Sequence, residues 1–139
     1  MIRALAHVCF KVRDLDAAVA FYVDVLGCTH AFDFTDAAGN RFGAYLHVAG
    51  RAFIELFSGL GQTRQEGGAY QHLCLEVVDI ESAVRDLRAR GTEVSDPAMG
   101  SDNSLQAWLS DPEGNRIELH CYTDKSWQAP WLGEEPGKA

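Results

Sequence analysis

The chain has 139 residues, 47% hydrophobic and 23% charged, the size and balance of one soluble domain with a core of its own. A formal charge of −8 at pH 7 argues against nucleic acid as a partner, because phosphates demand a basic face. No apolar run approaches the roughly 20 residues of a membrane span, so no membrane association is expected.

The start, MIRALAHVCF, enters a strand pattern directly and lacks the apolar region of a signal peptide. Ala6–Arg13 alternates, with Val8, Phe10 and Val12 on one face and His7, Cys9 and Lys11 on the other. Asp14 is placed to cap a helix in which Leu15, Val19, Tyr22, Val23 and Leu26 keep helical spacing until Gly27. Strands follow near Cys28–Phe34, Phe42–Val48 and Ala52–Phe57, the last two joined at Ala49-Gly50. The polar, Gly-rich stretch 58–69 reads as a linker. Beyond it, Tyr70–Val78 is a strand, Asp79 caps a helix through Arg90, and Gly91 ends it. Short strands are expected near Glu93–Ser95, Leu105–Ser110 and Asn115–Tyr122. Asp111-Pro112-Glu113-Gly114-Asn115 is a strong turn signal. A second Gly-Asn-Arg at 39–41 precedes a different strand of its module and reads as a coincidence.

The order of elements is therefore written twice. His7, Cys9, Val12, Asp14, Ala18 and Val19 recur at one constant spacing as His72, Cys74, Val77, Asp79, Ala83 and Val84. An Ile-Glu-Leu triplet closes each copy, centred on Glu55 and Glu118. The implied modules run about 4–57 and about 70–122, followed by a tail, 123–139, with two tryptophans, Trp127 and Trp131. That tail either docks through its aromatic residues or stays loose.

Strand parity carries the pattern toward chemistry. Side chains alternate with period two, so His7, Cys9 and Lys11 share a face. The same rule groups His72, Cys74 and Glu76; Phe53, Glu55 and Phe57; and Arg116, Glu118 and His120. The opposite faces are apolar and are what the helices cover. A carboxylate flanked by two phenylalanines, as Glu55 is, costs free energy to bury alone. A divalent cation would neutralise both carboxylates and accept two neutral imidazoles, and Zn, Ni, Co, Mn or Fe suits such a mixed set. The four cysteines are dispersed with no CxxC pair, so reduced thiols and a cytoplasmic chain are expected. Cys9 and Cys74 repeat with their histidines and are the soft donors nearest the pattern.

The segments HVCFKVRDLDAAVAFYVDVLG, FIELF, HLCLEVVDIESAVRDL and DPEGNRIEL resemble the vicinal oxygen chelate superfamily (glyoxalase, bleomycin resistance protein, extradiol dioxygenase), and within it glyoxalase I. The resemblance implies a single α+β domain of two paired βαβββ modules that form an open, cupped mixed β-sheet. It puts His7, Glu55, His72 and Glu118 on four metal-ligand positions, with Glu118, or Glu55 across the site, moving a proton beside a metal-bound carbonyl through an enediolate-like intermediate. The compact length looks like the bacterial type, which prefers nickel or cobalt over zinc. A small-molecule substrate and a homodimer are implied as well, with modules pairing within one chain or between two.

Two positions depart from glyoxalase I. Lys11 stands where the family has arginine, and Gly59 where it usually has asparagine; both positions help hold glutathione there. Lys11 still offers a point charge to an anionic substrate, and Trp108 and His120 are further candidates for substrate contact. Arg116 is a candidate anion binder, and Tyr45 and His47 lie on an interior strand with their direction open. The alternatives within the superfamily are a non-catalytic ligand-sequestering protein of the bleomycin-resistance type, an epimerase, typically with glutamine at the second ligand position, and an extradiol-type dioxygenase with two His and one Glu around iron.

Overall fold

The computed structural model describes residues 2–61 and 69–133; most of the expected linker, 62–68, lies outside the described residues. Two compact units, 1–64 and 65–139, divide the chain. The first contains β1 (His7–Val12), α1 (Leu15–Ala20, extended by one wider π turn over Phe21–Val25), β2 (Thr29–Thr35), β3 (Arg41–Ala49) and β4 (Ala52–Ser58). The second contains β5 (Leu73–Glu76), α2 (Ile80–Ala89), β6 (Ala98–Met99), β7 (Leu105–Ser110) and β8 (Arg116–Cys121), then a short 3₁₀ turn at Ala129–Trp131. Each unit is thus a βαβββ module with a four-stranded mixed sheet, ordered β1-β4-β3-β2 and β5-β8-β7-β6. The α+β class that the resemblance implies holds.

Both modules start their helices in the same way. Asp14 Oδ1 accepts from the Ala17 amide and Asp79 Oδ1 from the Ser82 amide, each at 3.0 Å, which satisfies an amide that has no partner inside the helix. Gly27 and Gly91 then leave the helices at φ +81° and +80°, a conformation glycine adopts without steric cost. α1 packs on β3 and β4, and α2 on β7 and β8. The first interface buries Val12, Ala18, Tyr22, Ala44, Leu46, Ile54 and Leu56; the second buries Ile80, Val84, Leu87, Ala107, Leu109, Ile117 and Leu119. Each large aliphatic side chain there contributes about 1.5–3 kcal/mol relative to exposure. These are the apolar faces that parity assigned to the helices.

The second module is shorter in strand than its sequence reads. β5 spans only Leu73–Glu76, and residues 93–95 form no strand. Ser95 instead bridges to β7, its amide donating to Trp108 O and its Oγ accepting from Trp108 N, both at 2.9 Å. The side-chain hydroxyl takes the place of a ladder bond, and the edge strand forms later, at Ala98–Met99.

The Gly-Asn echo has the same local chemistry in a different hairpin. Asp36 Oδ1 accepts from the Ala38 and Asn40 amides and its Oδ2 from Asn40 Nδ2. Asp111 repeats this with Glu113 and Asn115. The Asp36 turn joins β2 to β3, whereas the Asp111 turn joins β7 to β8. Asp111 is buried, so Asp111→Ala leaves amides without acceptors and is expected to cost about 1–3 kcal/mol in urea unfolding. Asp36→Ala, at the exposed turn, is expected to cost less, and an equal loss would contradict this account.

Candidate metal-binding residues

In the first module, β1 and β4 run parallel with Cys9 opposite Glu55, and β3 runs antiparallel to β4 with Tyr45 opposite Glu55. This register puts His7, Cys9, Tyr45 and Glu55 on one face. His7 Nε2 lies 3.8 Å from Glu55 Oε2, and its Nδ1 lies 3.2 Å from the Tyr45 hydroxyl. The His7 side chain is 42% exposed and that of Glu55 16%. Around Glu55 the face is aromatic: Tyr45 stacks on Phe53 and Phe32, each at 4.9 Å between ring centroids, and Phe34 meets Phe57 at 5.0 Å. Cys9 hydrogen-bonds Glu55, and desolvation, followed by that bond, raises its thiol above the ordinary range. Lys11 is exposed opposite Phe57. His47 shares this face but donates from Nε2 to Gly50 O at 3.2 Å across its own hairpin. Gly59 sits at φ +102°, where a side-chain-bearing residue is strained.

The second module repeats the register, with Cys74 opposite Glu118 on β8 and Trp108 opposite Glu118 on β7. Glu118 is only 5% exposed and His120 6%. The Glu118 carboxylate is surrounded by donors. His72 Nε2 lies 3.0 Å from Oε2, His120 Nδ1 lies 3.0 Å from Oε1, and the Cys74 thiol hydrogen-bonds the same group. Desolvation and then the Glu118 charge push the Cys74 thiol up to about 12. Cys74, Glu118 and His120 each offer a ligand atom, and the three atoms lie within 4.8 Å of one another. Trp108 presents its face to Arg116, whose guanidinium sits 4.3 Å from the ring centroid, and meets the His72 ring edge-on at 5.0 Å. Arg116 is therefore engaged in a cation–π contact rather than simply solvated.

Each module thus brings its own expected histidine and glutamate together. The sequence left Tyr45 open because the direction of an interior strand follows from its register, and the register with β4 is not written in β3 alone. His120, a candidate for substrate contact, is buried against Glu118. Asp102, which lies in a loop, carried no signal at all.

The family model for the glyoxalase/bleomycin resistance protein/dioxygenase superfamily matches residues 4–119. The chain belongs to this superfamily. Among superfamily members, the probable lactoylglutathione lyase of Synechocystis is 32% identical over 121 residues, covering 83% of this chain and 92% of that protein. The lactoylglutathione lyase of Haemophilus influenzae is 32% identical over 126 residues, covering 83% and 90%. The structure of TnmS3, an antibiotic binding protein from Streptomyces, superposes with a TM-score of 0.72 at 24% identity, over 88% of this chain and 98% of that one. TnmS3 thus shares the fold.

Asp102 anchors the buried end of the second site. Gln128 Nε2 donates to its Oδ2 at 2.6 Å, and the Ser104 amide and hydroxyl add bonds at 3.2 Å. The Gln128 bond, ahead of the Ser104 bonds, holds the Asp102 carboxyl below the ordinary carboxylate range. A depressed folded-state value means stability that is present above the unfolded carboxylate range and is lost as pH falls through the folded value. Gln128→Ala should therefore destabilise the protein at neutral pH and lose that effect in acid, as read by urea unfolding at both. An equal deficit at both pH values would contradict the assignment.

Proposed function

We propose that this protein is a metal-dependent lyase or isomerase of the glyoxalase I type, with His7, Glu55, His72 and Glu118 as the ligands of one divalent cation. The observation that carries the reading is the doubled parallel register, which places one imidazole within 3.8 Å and the other within 3.0 Å of a carboxylate. The donors fit such an ion: two carboxylates balance its charge, and two neutral imidazoles suit nickel, cobalt or zinc, with manganese and iron less favoured. The similarity to lactoylglutathione lyases across most of their length supports the reaction class.

When bound, the cation supplies Lewis acidity to substrate oxygens and stabilises developing enediolate charge. The residues do the rest. The Tyr45 hydroxyl lies 3.2 Å from His7 Nδ1, and a proton held on Nδ1 by this contact would leave Nε2 open as a ligand. Glu118, or Glu55, takes the proton beside a substrate carbonyl and returns it at the neighbouring carbon. Burial of Glu118 keeps water from competing for that proton. Lys11 and Trp108 are proposed to contribute to substrate binding, Lys11 toward an anionic group and Trp108 as a wall, whereas His120 is buried against Glu118 and Asp102. With Lys11 and Gly59 at the two glutathione-holding positions, the methylglyoxal–glutathione adduct is expected to be a poor substrate. We propose further that the modules pair as one domain, within a chain or across a homodimer, and that the protein is cytoplasmic; all four cysteines are free, and no described helix is long and apolar enough to cross a membrane.

The aromatic face built by Phe32, Phe34, Tyr45, Phe53 and Phe57 favours one alternative, a protein that sequesters a planar apolar ligand without turnover. Two measurements separate the readings. Nickel titration of the apo-protein should show a tight site that His7→Ala or His72→Ala weakens by about 100-fold or more. Glu118→Gln should lower turnover of thiohemiacetals or acyl thioesters by about 100-fold or more while substrate affinity changes little. Wild-type protein that binds no nickel, cobalt or zinc would end the metalloenzyme reading, and an unchanged rate in Glu118→Gln would remove this residue from proton transfer.

A further inference from the structure

Glu118 offers its two oxygens in different directions, and only one faces His72. Oε2 takes His72, whereas Oε1 takes the buried His120. His120 is held between two carboxylates: its Nδ1 lies 3.0 Å from Glu118 Oε1, and its Nε2 lies 3.7 Å from Asp102 Oδ2. Nε2 is buried and has no hydrogen-bond partner among the described residues. Both ring nitrogens of His120 thus face carboxylate oxygens, so negative charge gathers around a buried ring and favours a cation beside it.

The Cys74 thiol next to the Glu118 carboxylate supplies a third donor for such a cation. We propose that Cys74, Glu118 and His120 form a second metal position, using the Glu118 oxygen that faces His120, for a thiophilic divalent cation of the zinc, cobalt(II) or cadmium class. The three ligand atoms are close enough to converge on one ion with bonds of about 2.0–2.3 Å. Thiolate and carboxylate supply the two negative charges that a divalent cation needs when it occupies this position alone, and the thiol proton leaves to solvent as the Sγ–metal bond forms. The thiolate selects against magnesium and manganese. Cys74 is exposed and gives the ion a way in, while the Nε2–H of His120 turns to Asp102, completing the carboxylate–histidine–metal arrangement that fixes a ligand's tautomer and orientation. Asp102 is itself locked by Gln128 and Ser104. This position goes beyond the proposed His7–Glu55–His72–Glu118 centre and does not need His7 or Glu55.

Cobalt(II) titration of the apo-protein, followed by absorption, tests this. The expected result is a near-ultraviolet thiolate-to-cobalt charge-transfer band that disappears in Cys74→Ser, persists in Cys9→Ser, and persists in His7→Ala. Circular dichroism of Cys74→Ser should match the wild type, since serine keeps the size and a hydrogen-bonding donor toward Glu118. Cobalt that binds without the band, a band that survives Cys74→Ser, or a band that vanishes in Cys9→Ser would overturn the second position and leave the four-ligand proposal standing. A Cys74-dependent band with no effect of His7→Ala on nickel binding would do the reverse. No cobalt binding at all would overturn this position too.

Discussion

The parallel pairing of the first and last strand in each module is the constraint on which the rest depends. In β1–β4 it sets Cys9 opposite Glu55, and in β5–β8 it sets Cys74 opposite Glu118. Because side chains alternate, a histidine two residues before each cysteine shares the face of the carboxylate, and the intervening apolar residues meet the helix. A slip of one residue would turn Ile54 and Leu56 toward the histidine face and Glu55 into the core, at a cost no local contact repays. The packing of α1 and α2 therefore does more than hold the sheets together; it fixes which residues meet the carboxylates.

The two copies have diverged on the open face while keeping the core face. By register, Tyr45 on β3 corresponds to Trp108 on β7, Phe57 on β4 to His120 on β8, and Lys11 on β1 to Glu76 on β5. The first face became aromatic, with a single carboxylate between phenylalanines. The second collected nitrogen, sulfur and oxygen donors around Glu118. The asymmetry leaves the first face apolar and gives the second the more buried carboxylate, with side-chain exposure of 16% at Glu55 and 7% at Glu118.

Much of this was legible in the residues. The alternation of Val8, Phe10 and Val12 against His7, Cys9 and Lys11, and its repetition after Gln71, sufficed for the fold class and for each His–Glu pair. What escaped was whatever depends on cross-strand register or on a single side-chain bond. Tyr45 could not be oriented until β3 was paired with Glu55. Residues 93–95 look like a strand because Val94 is flanked by polar residues, yet the Ser95 hydroxyl takes over the ladder bond. Asp102 acquires its role only through Gln128, far along the chain in a tail with no periodicity. The repeated Asp-x-x-Gly-Asn turn was discounted because its two copies join different strands, although turn chemistry is local and indifferent to position.

The central claim is that both His–Glu pairs serve one ion, and the most direct measurement is anomalous scattering from crystals of the nickel-loaded protein. The account predicts an anomalous peak bonded to His7, Glu55, His72 and Glu118 together, with all four from one chain or two from each of two chains. Peaks confined to a single His–Glu pair, or no peak at any of the four residues, would contradict it.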